Sequence, residues 1–263
     1  MNAKKSRGAF YTVVWLIILS GLWEIAPRVG LANKYLLPTL SSTIRVMAEQ
    51  ISNGALGWQI LTSLALIAWG CLLSVLLSAV IAFLCIYSPL FESLFRALCT
   101  IFNPLPGLAV LPLIMMWFGI GTGAVLVLII HGVIWPLVTE LIAGFRSVPA
   151  VYRDFSRNIG LNAFQETFSV LIYAVMPNFL AGLSIGWGRA WRALIGAEMV
   201  FGMMGDYGGV GYYIYLQRAY ANIPRVMAGV LAIVIIGILV DQLIFRMIER
   251  ITVERWGMSG AGK

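Results

Sequence analysis

The chain is poor in charged residues. Of its 263 residues, 11% are charged and 60% are hydrophobic, whereas soluble domains carry roughly 25% charged residues. A soluble protein of this composition would have to expose most of its apolar side chains to water. The composition therefore excludes an ordinary soluble domain and predicts that lipid solvates much of the chain.

The chain is also poor in cysteine and histidine. Its three cysteines, Cys71, Cys85 and Cys99, lie in or beside apolar runs, and an odd number there argues against a disulfide framework. We interpret His131, the only histidine, as hydrogen-bonded to a neighbouring helix, because no second His or Cys stands at metal-ligand spacing. One histidine with scattered carboxylates makes no catalytic set. We expect no catalytic residue, metal or cofactor in this chain.

The sequence contains six long apolar runs separated by more polar segments. Each run approaches or exceeds the roughly 20 residues that a membrane-spanning helix needs. The runs are Phe10–Ala26, Ile60–Tyr87, Ala97–Trp117, Gly123–Phe145, Val170–Val200 and Val226–Phe245. Lys4, Lys5 and Arg7 precede the first run, and no small-residue cleavage site follows it, so we interpret it as an uncleaved span. The pattern predicts an all-α polytopic membrane protein with six transmembrane helices.

The net charge of +7 does not indicate a nucleic-acid partner. The basic residues form no dense patch and lie mainly at the ends of apolar runs, where lysine and arginine favour the cytoplasmic side. Counted over six spans, more of them lie on the side of the N-terminus. We therefore expect both termini in the cytoplasm.

The connections divide the chain. We assign residues 1–55 to an N-terminal transmembrane helix and an external connector, 56–250 to a transmembrane core, and 251–263 to a cytoplasmic tail. In the connector, Ser41 or Ser42 is expected to cap a short helix with Ile44, Met47 and Ile51 on one face.

Prolines and glycines mark the third run. A kinked helix is predicted by the three prolines of this run, Pro104, Pro106 and Pro112. The backbone groups that lose their helical hydrogen bonds at a kink need polar partners, and such a helix can line a pathway. A purely structural kink is the alternative. A glycine cluster after this run predicts a tight external turn before the fourth span.

A polar, turn-bearing segment extends from Asp154 to Pro177, between two apolar runs. Asp154 is expected to begin a helix, since a carboxylate suits a helix N-terminus. Gly160 is expected to end that helix in a left-handed conformation, and a second helix starts near Asn162 and Ala163. The result is a helix–turn–helix elbow that projects from the membrane.

This elbow resembles the cytoplasmic loop of the permease subunits of type I bacterial ABC importers. That loop has the pattern E-A-A, three residues, G, then nine residues and I-x-L-P. Asp154 takes the Glu position, Phe155 and Ser156 take the Ala positions, and Gly160 takes the Gly position. The I-x-L-P part falls on residues 170–173 without its proline, and Pro177 matches a second proline of many members.

Further segments resemble the taurine, alkanesulfonate and nitrate subgroup of this family. They are residues 104–112 (PLPGLAVLP), 116–121 (MWFGIG), 143–149 (AGFRSVP), 182–191 (GLSIGWGRAW), 197–199 (AEM) and 208–212 (GGVGY). Gly208 and its neighbours lack the Lys-Ser/Thr of a phosphate-binding loop and are interpreted as an external turn. Asp206 and Tyr207 are candidate contacts of an external partner.

The resemblance implies a fold, a function and partners. The fold is the type I ABC importer permease core, and the function is passage of a small solute, with an anion such as a sulfonate, taurine or nitrate as first choice. The partners are ABC ATPase subunits that bind the ATP, a second permease copy, and a periplasmic solute-binding protein. The coupling loop, residues 150–167, would enter a cleft on the ATPase. Its site residues are Asp154, Phe155, Ser156, Gly160, Leu161 and Ala163.

The fifth run contains charges, which within a membrane usually face the protein interior or water. The candidate pathway-lining residues are Ser184, Gly188, Trp191, Arg192, Glu198 and Arg189. Either arginine is able to attract an anionic solute. The alternatives are an ion pair, for example with Glu198 or Glu140, and snorkelling of the arginine side chain to a membrane interface. The opposite side of the run is rich in small residues, which suit close helix packing.

Two rival functions fit the sequence less well. A self-contained secondary transporter or channel usually shows internal repeats and coupling-ion carboxylates, and this chain has no obvious repeat and few membrane carboxylates. An intramembrane enzyme would need a nucleophile with a base, or a metal set. The sequence favours a non-catalytic transport subunit.

Overall fold

A computed structural model describes residues 2–203 and 208–255, and these contain helices and no β-strand. Their α-helices, in chain order, are α1 (Asn2–Arg28), α2 (Leu40–Ser52), α3 (Ala55–Tyr87), α4 (Pro89–Phe102), α5 (Gly107–Phe118), α6 (Thr122–Ser147), α7 (Ala150–Asn158), α8 (Ala163–Glu166), α9 (Ile172–Phe201), α10 (Val210–Ala219), α11 (Ile223–Leu239) and α12 (Arg246–Glu249). Three π-helical segments, Thr167–Leu171, Val240–Phe245 and Arg250–Glu254, continue the neighbouring helices.

The helices confirm an all-α membrane protein. Five stretches of the described residues are long and apolar enough to cross a membrane. They are Phe10–Arg28, Ala55–Tyr87, Thr122–Ser147, Phe164–Phe201 and Ile223–Glu254. Helices α4 and α5 form a bent pair that makes a sixth span when counted as one.

The third apolar run is broken rather than kinked. The expected continuous span Ala97–Trp117 is instead divided between α4 and α5, which meet at 106°. The break falls at residues 103–106, where Pro104 and Pro106 cannot donate backbone hydrogen bonds and fix φ. Pro112 stays inside α5. The expectation of one kinked helix was therefore wrong in degree, because two prolines two residues apart stop a helix instead of bending it.

Helices α6 and α9 form the centre of the fold. Their backbones come close because α9 places Gly182 and Gly186 against α6, where an added Cβ at Gly186 would lie 2.9 Å from Val133 Cα. Leu137, beside Gly182, and Leu194 of α9 are fully buried. The small-residue stripe predicted in the fifth run is confirmed as a packing surface, and it fixes the position of the residues on the other sides of α9.

Helix α1 lies at the periphery, and most of its apolar side chains are exposed. It is joined to the connector at its C-terminal end. The indole Nε1 of Trp23 donates to the Pro38 carbonyl over 3.0 Å, and Glu24 accepts from the Ser41 backbone amide over 2.9 Å. The exposed face of α1 suits contact with lipid.

The connector contains the expected short helix, α2, but the predicted cap was wrong. Thr39 is its N-cap, and its hydroxyl accepts from the Ser42 amide; the prediction had placed the cap at Ser41 or Ser42. Ile44 and Ile51 are exposed, and the buried side of the helix carries Thr43 and Gln50. The polar face turns inward because Gln50 Oε1 accepts a hydrogen bond from the Tyr213 hydroxyl, at 3.2 Å.

Candidate functional site

The projecting elbow begins earlier than the sequence predicted. Helix α7 starts at Ala150, directly after Pro149, which adopts extended backbone angles and marks the turn out of α6. Asp154 therefore lies in the middle of α7, and the expectation that it begins the helix was wrong. Proline is favoured at a helix start and sets this boundary four residues before the carboxylate.

The turn of the elbow follows the prediction closely. Gly160 has φ +74°, and it follows α7 by two residues. Its amide donates to the Arg157 carbonyl, and the Leu161 amide donates to the Ser156 carbonyl; each N···O distance is 3.0 Å. This is the glycine-dependent end of a helix that the sequence indicated. The prediction that Gly160 ends the first helix is confirmed.

The second helix of the elbow starts at the expected place. The Gln165 amide donates to Asn162 Oδ1 over 2.9 Å, and the Asn162 amide donates to Gln165 Oε1 over 3.1 Å. This reciprocal pair satisfies two amide donors at a helix start. It leads through α8, beginning at Ala163, and the following π-helical segment into α9.

Both ends of the elbow are fixed to the membrane helices. Before it, Arg146 in the last turn of α6 forms an ion pair with Glu92 of α4, which also accepts from Arg96. After it, the hydroxyls of Tyr87 and Thr167 are 2.8 Å apart. These contacts join the two ends of the elbow region to α3 and α4.

The elbow exposes an apolar surface to its surroundings. Val151, Phe155 and Ile159, four residues apart along α7, have exposed fractions of 66%, 56% and 55%. Asp154 is exposed beside them, whereas Ser156 is buried and donates to the Tyr152 carbonyl. Residues at this spacing form one stripe of a helix. We call the three apolar residues the elbow face.

Two of the predicted pathway residues come together in a cavity. Arg189 and Arg192 of α9 line a space of about 340 Å³ beside the α4–α5 break. The guanidinium Nη1 of Arg189 donates to Asn103 Oδ1 over 2.6 Å. Among the described residues, neither arginine forms the ion pair with Glu198 or Glu140 that was one alternative. We call this space the arginine cavity.

Two side chains of α6 also line the arginine cavity. His131 is hydrogen-bonded to the backbone of Phe102, the last residue of α4, as the interpretation of a histidine bonded to a neighbouring helix predicted. Trp135 stacks on the ring of Phe102, with ring centroids 5.7 Å apart and planes within 7°. No signal in the sequence singles out Trp135 or Asn103, because neither residue is unusual within its apolar run.

The other candidate pathway residues lie elsewhere. Ser184 lines a separate cavity with residues of the C-terminal helix. Trp191 is buried and stacks on Trp187, with ring centroids 5.6 Å apart, and Gly188 lies one turn from Arg192. Their part in a pathway stays a prediction, and so do the roles assigned to the elbow residues.

Glu198 is fully buried at the end of α9. Its two carboxylate oxygens accept from the amides of Gly209, at 2.9 Å, and Gly211, at 3.0 Å. The intervening Val210 amide donates to Ser63 Oγ. Glu198 thus caps α10 within this chain, and its lining of a pathway also stays a prediction. Asp206, Tyr207 and residues 256–263 of the tail lie outside the described residues.

Known proteins resemble this chain over most of its length. One relative is the aliphatic sulfonates transport permease protein SsuC of Bacillus subtilis (strain 168). It is 29% identical over 233 residues, which are 89% of this chain and 83% of the relative. The taurine transport system permease protein of Escherichia coli (strain K12) is 26% identical over 94% of this chain and 90% of the relative. A nitrate import permease protein of Synechocystis is 27% identical over 90% of this chain and 84% of the relative.

A family comparison covers the spans from α3 to the C-terminal helix, including the elbow and the arginine cavity. Residues 74–253 match the family described as the binding-protein-dependent transport system inner membrane component. The matched region is more than half of the chain, and it agrees with the helical membrane fold. The chain therefore belongs to this family and is a membrane permease of the ABC transporter type.

Proposed function

We propose that this chain is the permease subunit of an ATP-driven importer and forms the pathway for a small anion. The observation that carries the proposal is the elbow, which exposes an apolar face and is fixed to the spanning helices at both ends. An exposed apolar stripe favours a protein partner. The partner is an ABC ATPase subunit, which binds and hydrolyses the ATP.

Further partners follow from the family. A periplasmic solute-binding protein delivers the solute, and a second copy of the permease completes the pathway, since an interface of two identical chains is the commonest arrangement. The ATPase pair and the permease pair then match in number. One elbow of each permease enters one ATPase.

The orientation places the elbow in the cytoplasm. Arg146, Arg153 and Arg157 lie in or beside it, and Lys4 and Lys5 precede the first span on the same side of the proposed six spans. Lysine and arginine are enriched in cytoplasmic connections. Both termini are therefore cytoplasmic, in the bacterial inner membrane.

The solute is a small anion. Arg189 and Arg192 supply positive charge to the arginine cavity. The relatives are named for aliphatic sulfonates, taurine and nitrate. Arginine is the side chain best suited to oxyanions, because its planar donors match two oxygens.

The test is an affinity purification in mild detergent, with co-eluting subunits identified and ATPase activity measured. We expect a stoichiometric ATPase with the parent chain, and its loss with Phe155→Glu on the elbow face. The control is Leu31→Glu in the connector, an apolar side chain with an exposed fraction of 83% that lies outside the elbow and outside the spans. A parent chain that elutes without an ATPase, or equal loss with both variants, contradicts the proposal.

A further inference from the structure

We propose that the arginine cavity is an anion-binding site of the permease itself, where an oxyanion replaces Asn103 as the partner of Arg189. This inference deepens the proposed function and rests on its statement that the solute is an anion. It assigns a binding step to the membrane subunit in addition to any selection by a partner protein.

The charge of the cavity is uncompensated within the part of the chain that the structure describes. Its lining holds Arg189 and Arg192 and no acidic side chain. Glu140 accepts from Asn178 and Glu198 from backbone amides, so neither carboxylate serves the arginines. Arg189 is half-buried and Arg192 is exposed, and a positive charge within a membrane-spanning segment is costly without an opposite charge. An anion in the cavity supplies that charge.

The cavity also holds polar atoms that lack partners among the described residues. The indole Nε1 of Trp135 and the imidazole Nε2 of His131 are buried without a hydrogen bond. An indole N–H only donates, and a buried donor without an acceptor is destabilising. The oxygens of an oxyanion are acceptors, and one of them satisfies the Trp135 donor.

Ring stacking, and no hydrogen bond of its N–H, holds the Trp135 side chain in place. The ring stacks on Phe102 and also on Phe95, whose centroid lies 5.9 Å away. These contacts come from α4, directly before the break. The donor is therefore fixed in direction before any anion enters, which lowers the entropy cost of binding.

Asn103 is the group that the anion displaces. Its amide is neutral, whereas an anionic oxygen adds the attraction of opposite charges to the hydrogen bond of the guanidinium. Asn103 lies at the break between α4 and α5, and its backbone amide still donates to the Cys99 carbonyl over 3.0 Å. The exchange of partners at Arg189 therefore concerns the Asn103 side chain and leaves the end of α4 in place.

The displaced residue lies where two cavities meet. Asn103 and Pro104 line both the arginine cavity and a neighbouring space of about 690 Å³, which Arg96 and Arg146 also line. The latter arginines share Glu92, so their charge is partly neutralised. An anion that displaces Asn103 passes towards a region that holds it less firmly and from which it is released.

The experiment measures equilibrium binding of radiolabelled methanesulfonate to the full chain, with its co-purified subunits, in lipid nanodiscs. ATP and the solute-binding protein are omitted, and the buffer contains no sulfonate. We expect saturable binding of methanesulfonate, which an excess of nitrate displaces and an excess of choline does not. Absence of saturable binding to the parent chain overturns the inference.

Variants of the cavity test its ligands. Arg189→Gln and Arg192→Gln should each weaken binding about tenfold or more, the worth of a charged hydrogen bond. Trp135→Phe, which keeps the stacked ring, should weaken it several-fold. Arg225→Gln, an exposed arginine outside the cavity, should change nothing. Equal binding by the parent and both cavity arginine variants overturns the inference.

Variants of Asn103 test the exchange. Asn103→Asp places a carboxylate beside Arg189 and should weaken binding about tenfold or more, because a like charge then repels the anion. Asn103→Leu, similar in size but without an acceptor, should bind at least as tightly as the parent. Weaker binding by Asn103→Leu would show that Asn103 is a ligand and would overturn the exchange.

This experiment fails separately from the test of the proposed function. Methanesulfonate binding without a co-eluting ATPase would leave the anion site standing and reject the importer. A co-eluting ATPase without anion binding would keep the importer and reject the site.

Discussion

The hydroxyl of Tyr87 at the end of α3 lies 2.8 Å from the hydroxyl of Thr167, directly after the elbow. The two residues are 80 positions apart in the sequence. Together with the ion pair of Arg146 and Glu92 before the elbow, this contact holds the elbow from both sides. A loop fixed at two points moves its neighbouring helices when a partner moves it.

The first prediction concerns the Tyr87–Thr167 contact. Tyr87→Phe should lower the free energy of unfolding by about 1 kcal/mol, the net worth of a typical hydrogen bond, and Thr167→Val by a similar amount. If the hydroxyls interact, the double variant should lose less than the sum of the two. The measurement is unfolding in mixed detergent, and strictly additive losses would contradict a direct interaction.

The second prediction concerns the left-handed conformation of Gly160. An added Cβ meets no atom within 4 Å, so the cost of a side chain is backbone strain alone, about 1–2 kcal/mol. Gly160→Val should leave the chain in the membrane but reduce solute transport and ATPase co-elution. Asparagine tolerates this conformation, and Gly160→Asn should stay close to the parent.

Gly123 provides the matched control for Gly160→Val. It lies in α6, and an added Cβ there also meets nothing within 4 Å, but its backbone is helical. Gly123→Val should keep transport close to the parent level. Normal transport by Gly160→Val would reject the role of the left-handed turn.

Local backbone rules made the turn of the elbow predictable from the sequence. Gly160 and Asn162 act on their immediate neighbours. Most of the spans were predictable because a helix needs a minimum number of apolar residues to cross the bilayer. Asp154 was misplaced because Pro149 had already started the helix. Thr39 was missed as a cap because Ser41 and Ser42 satisfy the same rule.

The arginine cavity was only half predictable. Arg189 and Arg192 stand out as charges in an apolar run, and their spacing of three places them near each other on a helix. Asn103 and Trp135 come from α4–α5 and α6, and nothing local in the sequence indicates that these helices meet α9 there. The break at residues 103–106 determines that meeting, and its angle depends on tertiary packing.

The third prediction concerns the close approach of α6 and α9. At Gly186 an added Cβ would lie 2.9 Å from the backbone Cα of Val133, so Gly186→Ala forces the two helices apart. We expect a loss of about 1–3 kcal/mol in the free energy of unfolding, as for other overpacked cores. Gly21→Ala on α1, where no atom lies within 4 Å, is the control. Equal stability of the two variants would reject the tight contact.

Glu198 forms the most extensively bonded buried carboxylate of the described chain. Its oxygens accept from Gly209 and Gly211, and space for these amides exists only because both residues lack a side chain. An added Cβ at Gly209 would lie 2.1 Å from Ser63 Oγ, and one at Gly211 would lie 2.5 Å from the Ile195 carbonyl. The Glu198 carboxylate therefore joins α9 to the start of α10, and Ser63 of α3 accepts from the Val210 amide between the two glycines.

The last prediction concerns Glu198→Gln, which keeps the size of the side chain. Glutamine has one carbonyl oxygen, so its NH2 group must face one of the two backbone amides, donor against donor. We expect a loss of about 2–3 kcal/mol in the free energy of unfolding, because a buried amide is left unsatisfied. The measurement is unfolding in mixed detergent, with Glu49→Gln on the exposed side of α2 as the control. Anion binding by Glu198→Gln in nanodiscs should stay close to the parent, since Glu198 lies outside the arginine cavity. Unchanged stability with weakened anion binding would instead place Glu198 on the solute pathway.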